Sequence, residues 1–316
     1  MGNDKRLAIL AVGGNSLIVD EAHKSVEDQY HAIEETCKHI AGLLARGWRV
    51  VVTHGNGPQV GFILRRSELS RHELHDVPLD SCGADTQGAI GYQIQKAMYN
   101  EMKAWPVRPE VATVVTQVLV DREDPAFKQP SKPIGSFMDE KLAAERRDQD
   151  GWDVVEDAGR GWRRVIASPR PQRILEIEAI RRLLEHDIMV VAVGGGGIPV
   201  VMDARGDLAG AAAVIDKDLA TSLLARELGA DLLIISTAIE QAYLDFKKPG
   251  QRPIARMTVA EAKRYLAEGH FAPGSMKPKI EAVVEFLETG GKQALITDPP
   301  HLLAALEGRA GTWVVA

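Results

Sequence analysis

Three lysines of this 316-residue chain lie in local sequences that would hold an ammonium group in place. Lys132 lies in the proline-rich segment QPSKPIGSF, Lys217 lies in VIDKDLA, and Lys279 lies in GSMKPKIEA at the start of a predicted helix. Phosphoryl transfer requires little covalent chemistry from a protein, but it requires positioning and positive charge over the oxygens of the transferred group. Lysines in such positions favour that class of reaction.

Asp216 and Asp218 flank Lys217, and the residues alone leave two interpretations of this stretch open. One is an N-cap aspartate beside a solvated lysine at a helix start. The other is an ammonium group oriented by a carboxylate. An aspartate here could also approach Mg²⁺ through water, because that ion usually keeps several of its waters. The glycine-rich loops of the chain favour the second interpretation.

Each of three glycine-rich loops follows a predicted buried strand: Gly13-Gly14-Asn15, Gly55-Asn56-Gly57 and the four glycines 194–197. None has the spacing of a dinucleotide fingerprint or a P-loop, which argues against a dinucleotide-dependent oxidoreductase. Exposed backbone N–H groups in such loops hold anions well. Loops beyond the carboxyl ends of parallel strands also lie where open α/β sheets bind ligands. We therefore predict a polyanion site.

The predicted elements bring these loops to one edge of a sheet. Apolar strands are predicted at 7–12, 48–53, 111–120, 188–193, 230–237, 293–297 and 311–315, and helices at 25–45, 82–104, 172–186, 216–229 and 279–289. Capping boxes are expected at Ser25 with Asp28 and at Thr258 with Glu261. Continuous apolar strands that alternate with helices indicate an α/β fold with a mainly parallel sheet covered on both faces.

Residues 121–170 interrupt this alternation, because they are polar, charged and rich in proline and glycine. The segment WDVVEDAGRGWRRVIAS predicts two short strands joined by a turn. We interpret the whole stretch as a small lid, although a surface insertion without a role has the same composition. Its basic residues and the Lys-Pro-Ile-Gly segment favour the lid.

Composition and charge exclude several classes of protein. The net charge of −6 argues against a general nucleic-acid binder. The two cysteines, Cys37 and Cys82, form neither a metal-site spacing nor a disulfide framework. The sequence shows no signal-peptide pattern and no apolar run long enough to span a membrane, so we expect a cytoplasmic protein.

Two further residues allow more than one interpretation. His54 fits a general base, a structural residue or a hydrogen-bond donor to a ligand. The first of these roles is dispensable when the acceptor is already an anion. Tyr92 lies in the apolar helix GAIGYQIQKA, and we expect it in the core or at a dimer interface.

The chain resembles the amino acid kinase superfamily and, within it, the carbamate kinases. The resemblance runs almost from end to end and is carried by AVGGNSL, VVTHGNGPQVG, TQVLVDREDPAFKQPSKPIG, EDAGRGWRRVIASPRP, VAVGGGGIPV, AVIDKDLA and HFAPGSMKPKIEA. The glycine-asparagine loops occur widely in the superfamily. The DPAF…KPIG, EDAGRG and HFAPGSM stretches are specific to the carbamate kinases.

This resemblance implies a three-layer αβα fold with a central, mainly parallel sheet and a protruding subdomain at about 121–170. It implies an acceptor-binding lobe over about 1–200 and a nucleotide-binding lobe over about 201–316. The implied reaction is ATP plus carbamate giving ADP plus carbamoyl phosphate, run towards ATP after arginine breakdown by the deiminase route. The implied protein is a homodimer that requires Mg²⁺ without a metal-binding cage of its own.

The resemblance and the glycine loops together assign the candidate site residues. The catalytic residues are Lys132, which would reach the acceptor, Lys217 and Lys279, which would contact the transferred phosphoryl group, and Asp216, which would orient the lysines. The acceptor and phosphate pocket would be lined by Gly13, Gly14, Asn15, Gly55, Asn56, Gly195 and Gly196. The nucleotide would be bordered by Asp218, Thr237, Ala238, Tyr243 and Lys277.

The chain departs from the family pattern at Ser16, Ala212 and Ile239. These departures put nucleotide affinity and metal handling in question, but they remove none of the assigned lysines. A kinase of UMP or of another small carboxylate on the same fold stays open as an alternative. So does a catalytically silent, ligand-sensing protein.

Overall fold

The computed structural model describes residues 5–13, 23, 25–156 and 161–316, with residue 136 described by its backbone alone. Within these ranges the strands are β1 (Leu7–Val12), β2 (Arg49–His54), β3 (Val111–Thr113), β4 (Gln117–Val120), β5 (Lys132–Met138), β6 (Val154–Glu156), β7 (Trp162–Ile166), β8 (Pro171–Ile174), β9 (Met189–Val191), β10 (Ile198–Met202), β11 (Leu208–Gly210), β12 (Leu232–Ser236), β13 (Ala242–Leu244), β14 (Arg252–Ile254), β15 (Arg256–Thr258), β16 (Gln293–Thr297) and β17 (Thr312–Val315). The helices are α1 (Val26–Ala45), α2 (Gly57–Ser70), α3 (Leu79–Glu101), α4 (Glu140–Asp150), α5 (Ile177–Glu185), α6 (Lys217–Leu228), α7 (Val259–Ala267), α8 (Met276–Glu288) and α9 (Leu302–Leu306).

The main sheet has the strand order β15-β17-β16-β12-β1-β2-β9-β3. The six strands from β16 to β3 run parallel to one another, and β17 and β15 run antiparallel to them. The carboxyl ends of β1, β2, β9 and β12 therefore lie at one edge of the sheet. The glycine loops after β1, β2 and β9 all start there, as predicted.

Helices cover both faces of the main sheet. Along β1, Leu7, Ile9 and Ala11 belong to one buried core, and the alternate residues Ala8, Leu10 and Val12 belong to the other. Side chains of α5, α6, α7 and α8 fill the first core, and those of α1, α3 and α9 fill the second. This confirms the three-layer αβα fold, because a strand buried on both faces needs a layer on each side.

Both expected capping boxes are present, at the starts of α1 and α7. The predicted strand 111–120 is wrong as a single element, because β3 pairs with β9 in the main sheet whereas β4 pairs with β10 in a second sheet, β11-β10-β4-β8. The predicted helix 172–186 is wrong in its first residues, because 171–174 pair with β4 as the edge strand β8. Both errors concern pairing between distant segments, which local periodicity does not report.

The polar stretch 121–170 carries a separate antiparallel sheet, β5-β7-β6, together with α4. The two strands predicted in this region are β6 and β7, and the turn between them lies mostly outside the described residues. The small sheet approaches the main body at α2, where an added Cβ on Gly61 would lie 3.5 Å from Cα of Gly135. Lys132, the first residue of β5, is thereby brought towards the carboxyl edge of the main sheet.

Candidate active site

The carboxylate of Asp218 lies between two lysine ammonium groups that come from two different helices. Lys217 Nζ donates to Asp218 Oδ1 at 2.8 Å, and Lys279 Nζ donates to Asp218 Oδ2 at 2.8 Å. Asp218 is 4% exposed, and the side chains of Lys217 and Lys279 are 14% and 16% exposed. The first turns of α6 and α8 thus bring two positive charges onto one buried negative charge.

A second carboxylate, that of Asp216, connects α6 to the small sheet. Its Oδ1 accepts hydrogen bonds from the N–H of Asp218 at 2.9 Å and of Leu219 at 3.4 Å, which caps α6. Its Oδ2 accepts from Lys132 Nζ at 2.9 Å. The first residue of β5 is therefore held at the amino end of α6, beside the other two lysines.

The structure shows which lysine each of the two aspartates contacts, and the roles predicted for them stay predictions. We expected Asp216 to orient the lysines and Asp218 to border the nucleotide. Asp216 contacts only one of the three lysines, and both oxygens of Asp218 are bonded to the other two. Asp216 is an N-cap, as in the first interpretation of this stretch, and its other oxygen pairs with Lys132. Lys217 is not the solvated lysine of the first interpretation.

Burial and charge compete at this cluster. Burial favours the neutral form of Asp218, but the ammonium groups of Lys217 and Lys279 outweigh it and hold the pKa of Asp218 well below its usual range. Burial also lowers the pKa of Lys217, and the nearby carboxylate of Asp218 opposes that shift. The Asp218 carboxylate therefore favours the charged form of Lys217, which burial disfavours, in a site from which most water is excluded.

Two threonines fix the first turn of α6 against the end of β2. Thr221 Oγ1 donates to the carbonyl of Lys217 at 2.7 Å. Since that bond uses the only hydroxyl proton of Thr221, Thr53 Oγ1 must be the donor in the 2.7 Å contact between the two hydroxyls. The lysine cluster is consequently anchored at the carboxyl edge of the main sheet, where the glycine loops begin.

Three of the four glycines after β9, Gly194 to Gly196, form a tight buried turn, and Gly197 follows it. Gly195 has φ +68°, and an added Cβ would lie 2.1 Å from Asn56 Nδ2. Gly196 has φ +94°, and an added Cβ would lie 2.4 Å from the carbonyl oxygen of Ile215. Glycine is thus required here by the backbone conformation and by contacts within the protein. The Gly196 N–H already donates to the carbonyl of Val193 at 3.1 Å, and a ligand contact at these glycines stays a prediction.

The other two loops are partly described. The N–H of Gly55 donates to the carbonyl of Val12 at 3.0 Å, which continues the pairing of β1 and β2. Asn56 is buried, and its Nδ2 donates to Thr86 Oγ1 at 2.8 Å. Gly13 packs against the end of β12, where an added Cβ would lie 3.1 Å from the carbonyl oxygen of Ser236. The predicted pocket residues Gly14 and Asn15 lie outside the described residues, as does Ser16.

The remaining nucleotide-binding candidates are Thr237, Ala238, Tyr243 and Lys277. Thr237 and Ala238 follow β12 at the same edge of the sheet, and the Thr237 N–H donates to the carbonyl of Thr297 at 2.9 Å. Tyr243 lies on β13, with its ring 5.6 Å from that of Phe246. Lys277 is half-exposed, and its Nζ lies 3.8 Å from Glu281 on the surface of α8. These positions are compatible with a nucleotide site beside β12, which stays a prediction.

The imidazole of His54 is fully buried at the end of β2. Burial lowers its pKa to about 4, a hydrogen bond to the Gly55 carbonyl opposes this, and the charge of Lys217 lowers the pKa further. The neutral ring therefore donates from Nδ1 to that carbonyl, 3.0 Å away. Its Nε2, which has no hydrogen-bond partner in the described part of the chain, faces the Gly194 backbone. A structural role fits this geometry, and a ligand donor does not.

We expect His54 to remain neutral between about pH 5 and about pH 8, where an ordinary histidine titrates. Its depressed pKa favours folding above the ordinary value of 6.5, and that contribution is lost as the pH falls towards about 4. An NMR titration, with His54→Asn used to assign the imidazole signal, measures this directly. A midpoint near the ordinary value would contradict the buried, neutral ring.

No group of three or more histidine, cysteine or acidic side chains in the described ranges is arranged to hold a metal ion. The nearest carboxylates, Asp216 and Asp218, are occupied by lysines and backbone N–H groups.

None of the described helices has the length and apolar character needed to cross a bilayer. A cavity of about 610 Å³, lined by Trp48 and Trp105, lies at the amino ends of β2, β3 and β9, on the opposite edge of the sheet from the lysines.

Several polar residues that organise the site were missed from the sequence. Thr53, Thr86, Gln87, Thr116 and Thr221 are all buried, and each is hydrogen-bonded near a glycine loop or the start of α6. The available signal was a polar residue inside an otherwise apolar helix or strand pattern. Such residues are common enough in cores that the pattern alone does not identify their partners.

The model of the amino acid kinase family matches residues 6–298. That match, with the fold and the lysine cluster, defines the class of the protein: it is an ATP-dependent phosphotransferase of the amino acid kinase type. The carbamate kinase-like protein YahI of Escherichia coli is 49% identical over 314 residues, covering 98% of this chain and 99% of that protein. The carbamate kinase of Pyrococcus horikoshii is 45% identical over 308 residues, covering 97% and 98% of the two chains.

Comparison with solved structures also finds carbamate kinases. Carbamate kinase from Giardia lamblia bound to AMP-PNP superposes with a TM-score of 0.93 at 38% identity, covering 99% of both chains. Another structure of that enzyme, thiocarbamoylated by disulfiram on a cysteine, gives a TM-score of 0.91 at 37% identity and the same coverage. The chain belongs to the carbamate kinases within the amino acid kinase family.

Proposed function

We propose that this protein is a carbamate kinase that catalyses reversible phosphoryl transfer between ATP and carbamate. The observation that carries the proposal is the convergence of Lys132, Lys217 and Lys279 on two adjacent carboxylates at the amino end of α6. Relatives named carbamate kinase support the substrate, and the relative bound to AMP-PNP supports the nucleotide.

In the proposed reaction a carbamate oxygen attacks the γ-phosphorus of ATP. The bond between that phosphorus and the β–γ bridging oxygen breaks, and its electron pair leaves on ADP. In this proposal the charges of Lys217 and Lys279 stabilise the three equatorial oxygens of the transferred group. Because carbamate is already an anion, no general base is needed, which agrees with a neutral, enclosed His54.

Lys132 is the candidate for contact with the acceptor. It lies on the small sheet, and its ammonium group reaches Asp216 across the edge of the main sheet. An incoming anion would compete with this carboxylate for the ammonium group and bring the charge of Lys132 onto the acceptor. We propose Asp218 as the residue that positions the other two lysines, in place of a nucleotide contact, because its oxygens are both engaged.

The other assignments belong to the same proposal. The loops at Gly13, Gly55, Asn56, Gly195 and Gly196 would surround the acceptor, and the residues after β12 would border the nucleotide. Mg²⁺ enters as part of the nucleotide substrate, where it would neutralise phosphate charge, since Asp216 and Asp218 are already paired. The lobes at about 1–200 and 201–316, the cytoplasmic location and the link to arginine breakdown stay predictions.

We also propose that the chain forms a homodimer through the outer face of α3. Tyr92 and Tyr99 on that face are 60% and 56% exposed, so Tyr92 is not a core residue. Lys96 Nζ lies 5.4 Å from the centroid of the Tyr92 ring. Aromatic side chains of this size are enriched at protein interfaces.

The experiment for the proposed function mixes the purified chain with ADP, Mg²⁺ and carbamoyl phosphate and measures ATP by luciferase. Two further assays test the alternative activities. Acetyl phosphate in place of carbamoyl phosphate tests a kinase of another small carboxylate, and ATP with UMP tests a UMP kinase. The expected result is ATP formation with carbamoyl phosphate, and no transfer from acetyl phosphate or to UMP. ATP mainly from acetyl phosphate, or transfer to UMP, would contradict the carbamate assignment, and no transfer with any of them would indicate a sensor.

We expect disulfiram to leave this protein unmodified in its native state, unlike the Giardia lamblia relative. The chain has only Cys37 and Cys82, and both are buried. Burial raises the pKa of both thiols, that of Cys82 to about 11. Because the thiolate is the reactive form, neither cysteine is prepared to attack a disulfide. Intact-mass spectrometry after disulfiram treatment, with urea-unfolded protein as the positive control, checks this; an adduct on native protein would contradict it.

A further inference from the structure

Gln87 on α3 has a side chain that is 1% exposed and makes three hydrogen bonds. Its Oε1 accepts from the N–H of Thr116 at 2.7 Å. Its Nε2 donates to the carbonyl of Thr116 at 3.1 Å and to the carbonyl of Gly194 at 3.0 Å. One buried amide thus joins α3 to the segment between β3 and β4 and to the first glycine of the loop after β9.

The loop that Gln87 holds begins in a disfavoured conformation. Val193 has φ +53°, which is a left-handed conformation and is rare for a β-branched residue. Such a conformation persists only when its surroundings determine it. The N–H of Val193 donates to Thr116 Oγ1 at 3.0 Å, and that hydroxyl donates to the carbonyl of Val114 at 2.6 Å. Thr116 is in turn held by Gln87 at both its N–H and its carbonyl.

The preceding residue of α3 holds the second glycine loop. Thr86 Oγ1 accepts from Asn56 Nδ2 at 2.8 Å, and Asn56 packs against Gly195. Two successive residues of one helix therefore fix the loops after β2 and β9 relative to each other. These loops lie at the sheet edge where the lysine cluster is anchored.

We propose that Gln87 is a positioning residue for phosphoryl transfer, which acts by holding the Val193–Gly197 turn in place. Among the described residues its hydrogen bonds go to Thr116 and Gly194 and not to the lysines or aspartates of the cluster, so its effect must pass through the loop. A small displacement of a group that positions reacting atoms lowers the rate steeply even when binding is preserved. The inference rests on the proposed carbamate kinase activity, and its test includes a measurement that does not depend on that activity.

The test compares Gln87→Met with Gln93→Met. Gln93 is a buried glutamine on the same helix, and its Oε1 has no hydrogen-bond partner among the described residues. For Gln87→Met we expect kcat for ATP formation to fall on the order of 10²-fold, with KM for ADP unchanged. Amide hydrogen exchange of the peptide 189–202 should accelerate, because the loop has lost its anchor. Gln93→Met should change neither quantity.

A second variant, Gln87→Glu, protects the test against a failure of Gln87→Met to fold. Burial raises the pKa of a carboxyl group, and only its protonated form can donate a hydrogen bond in place of the amide. The activity of Gln87→Glu relative to wild type should therefore rise as the pH is lowered from about 8 to about 6. When kcat is measured on protein shown to be fully folded at each pH, a merely structural role would not produce that dependence.

The proposal would be overturned if Gln87→Met or Gln87→Glu had the same kcat as the wild type and the same rate of amide exchange in residues 189–202. If the wild-type chain makes no ATP, the proposed function fails, and the exchange measurement still decides whether Gln87 holds the loop. Faster exchange in that peptide for the Gln87 variants alone supports the inference, and equal exchange in the Gln93 variant and the Gln87 variants contradicts it.

Discussion

Replacing Lys217 by alanine should lower the rate of ATP formation on the order of 10²–10³-fold, which is typical for loss of one group that stabilises developing charge. The Lys217 ammonium is enclosed, and it is fixed at 2.8 Å from Asp218 at the start of α6. It therefore needs little reorganisation when a phosphoryl group arrives. The measurement is steady-state kcat with ADP, Mg²⁺ and carbamoyl phosphate.

A surface lysine provides the control for that variant. Lys263 on α7 also pairs with a carboxylate, at 2.7 Å from Glu288, but its side chain is more than half exposed. Lys263→Ala should keep wild-type kcat, since exposed ion pairs contribute little. Comparable losses in both variants would mean that general destabilisation, and not the loss of a phosphoryl contact, explains the effect of Lys217→Ala.

Replacing Asp218 by asparagine should lower the free energy of unfolding by about 3–5 kcal/mol, the usual cost of removing one partner from a buried ion pair. The asparagine would leave the charges of Lys217 and Lys279 facing each other without the carboxylate that pairs with both of them. Urea unfolding at neutral pH measures the difference. We expect kcat to fall as well, because the lysines lose the group that positions both of them.

The difference in unfolding free energy between wild type and Asp218→Asn should depend on pH in a defined direction. The pKa of Asp218 is depressed in the folded state, so its stabilising contribution is complete above the ordinary value of 3.8 and is lost as the pH falls towards the folded-state pKa. Protonated Asp218 resembles asparagine in charge. The stability difference between wild type and Asp218→Asn should therefore shrink as the pH is lowered through this range.

An exposed aspartate serves as the control for the stability measurement. Asp207 forms a 2.9 Å ion pair with Arg205, and both side chains are largely exposed. Asp207→Asn should change the free energy of unfolding by less than about 1 kcal/mol. An Asp218→Asn variant as stable as Asp207→Asn would contradict the buried three-membered cluster.

Much of the fold could be predicted from the sequence, because the relevant signals are local. Buried strands such as LAILAV and ADLLIIST show continuous apolar runs, and the two capping boxes depend on residues three apart. The break between β3 and β4 was not predicted. Which sheet each half of VATVVTQVLV joins is decided by partners about 80 residues away along the chain.

The candidate site was predicted in its residue types but not in its pairings. The DKD stretch indicates a helix start with charged groups, and the structure confirms that part. That Lys279 would join Lys217 on Asp218, while Lys132 would take Asp216, depends on how α8 and the small sheet pack against α6. The roles of Gln87 and Thr116 could not be predicted either, because each depends on a backbone carbonyl or N–H in a distant segment.

The lysine cluster as a phosphoryl-transfer site is tested most directly by measuring ATP formation from ADP, Mg²⁺ and carbamoyl phosphate with wild-type protein and Lys217→Ala side by side. Both proteins should be shown to be folded by urea unfolding before the assay. The account predicts sustained ATP production by wild type and a rate lower on the order of 10²-fold or more for the variant. Wild-type ATP production no higher than that of Lys217→Ala would contradict it.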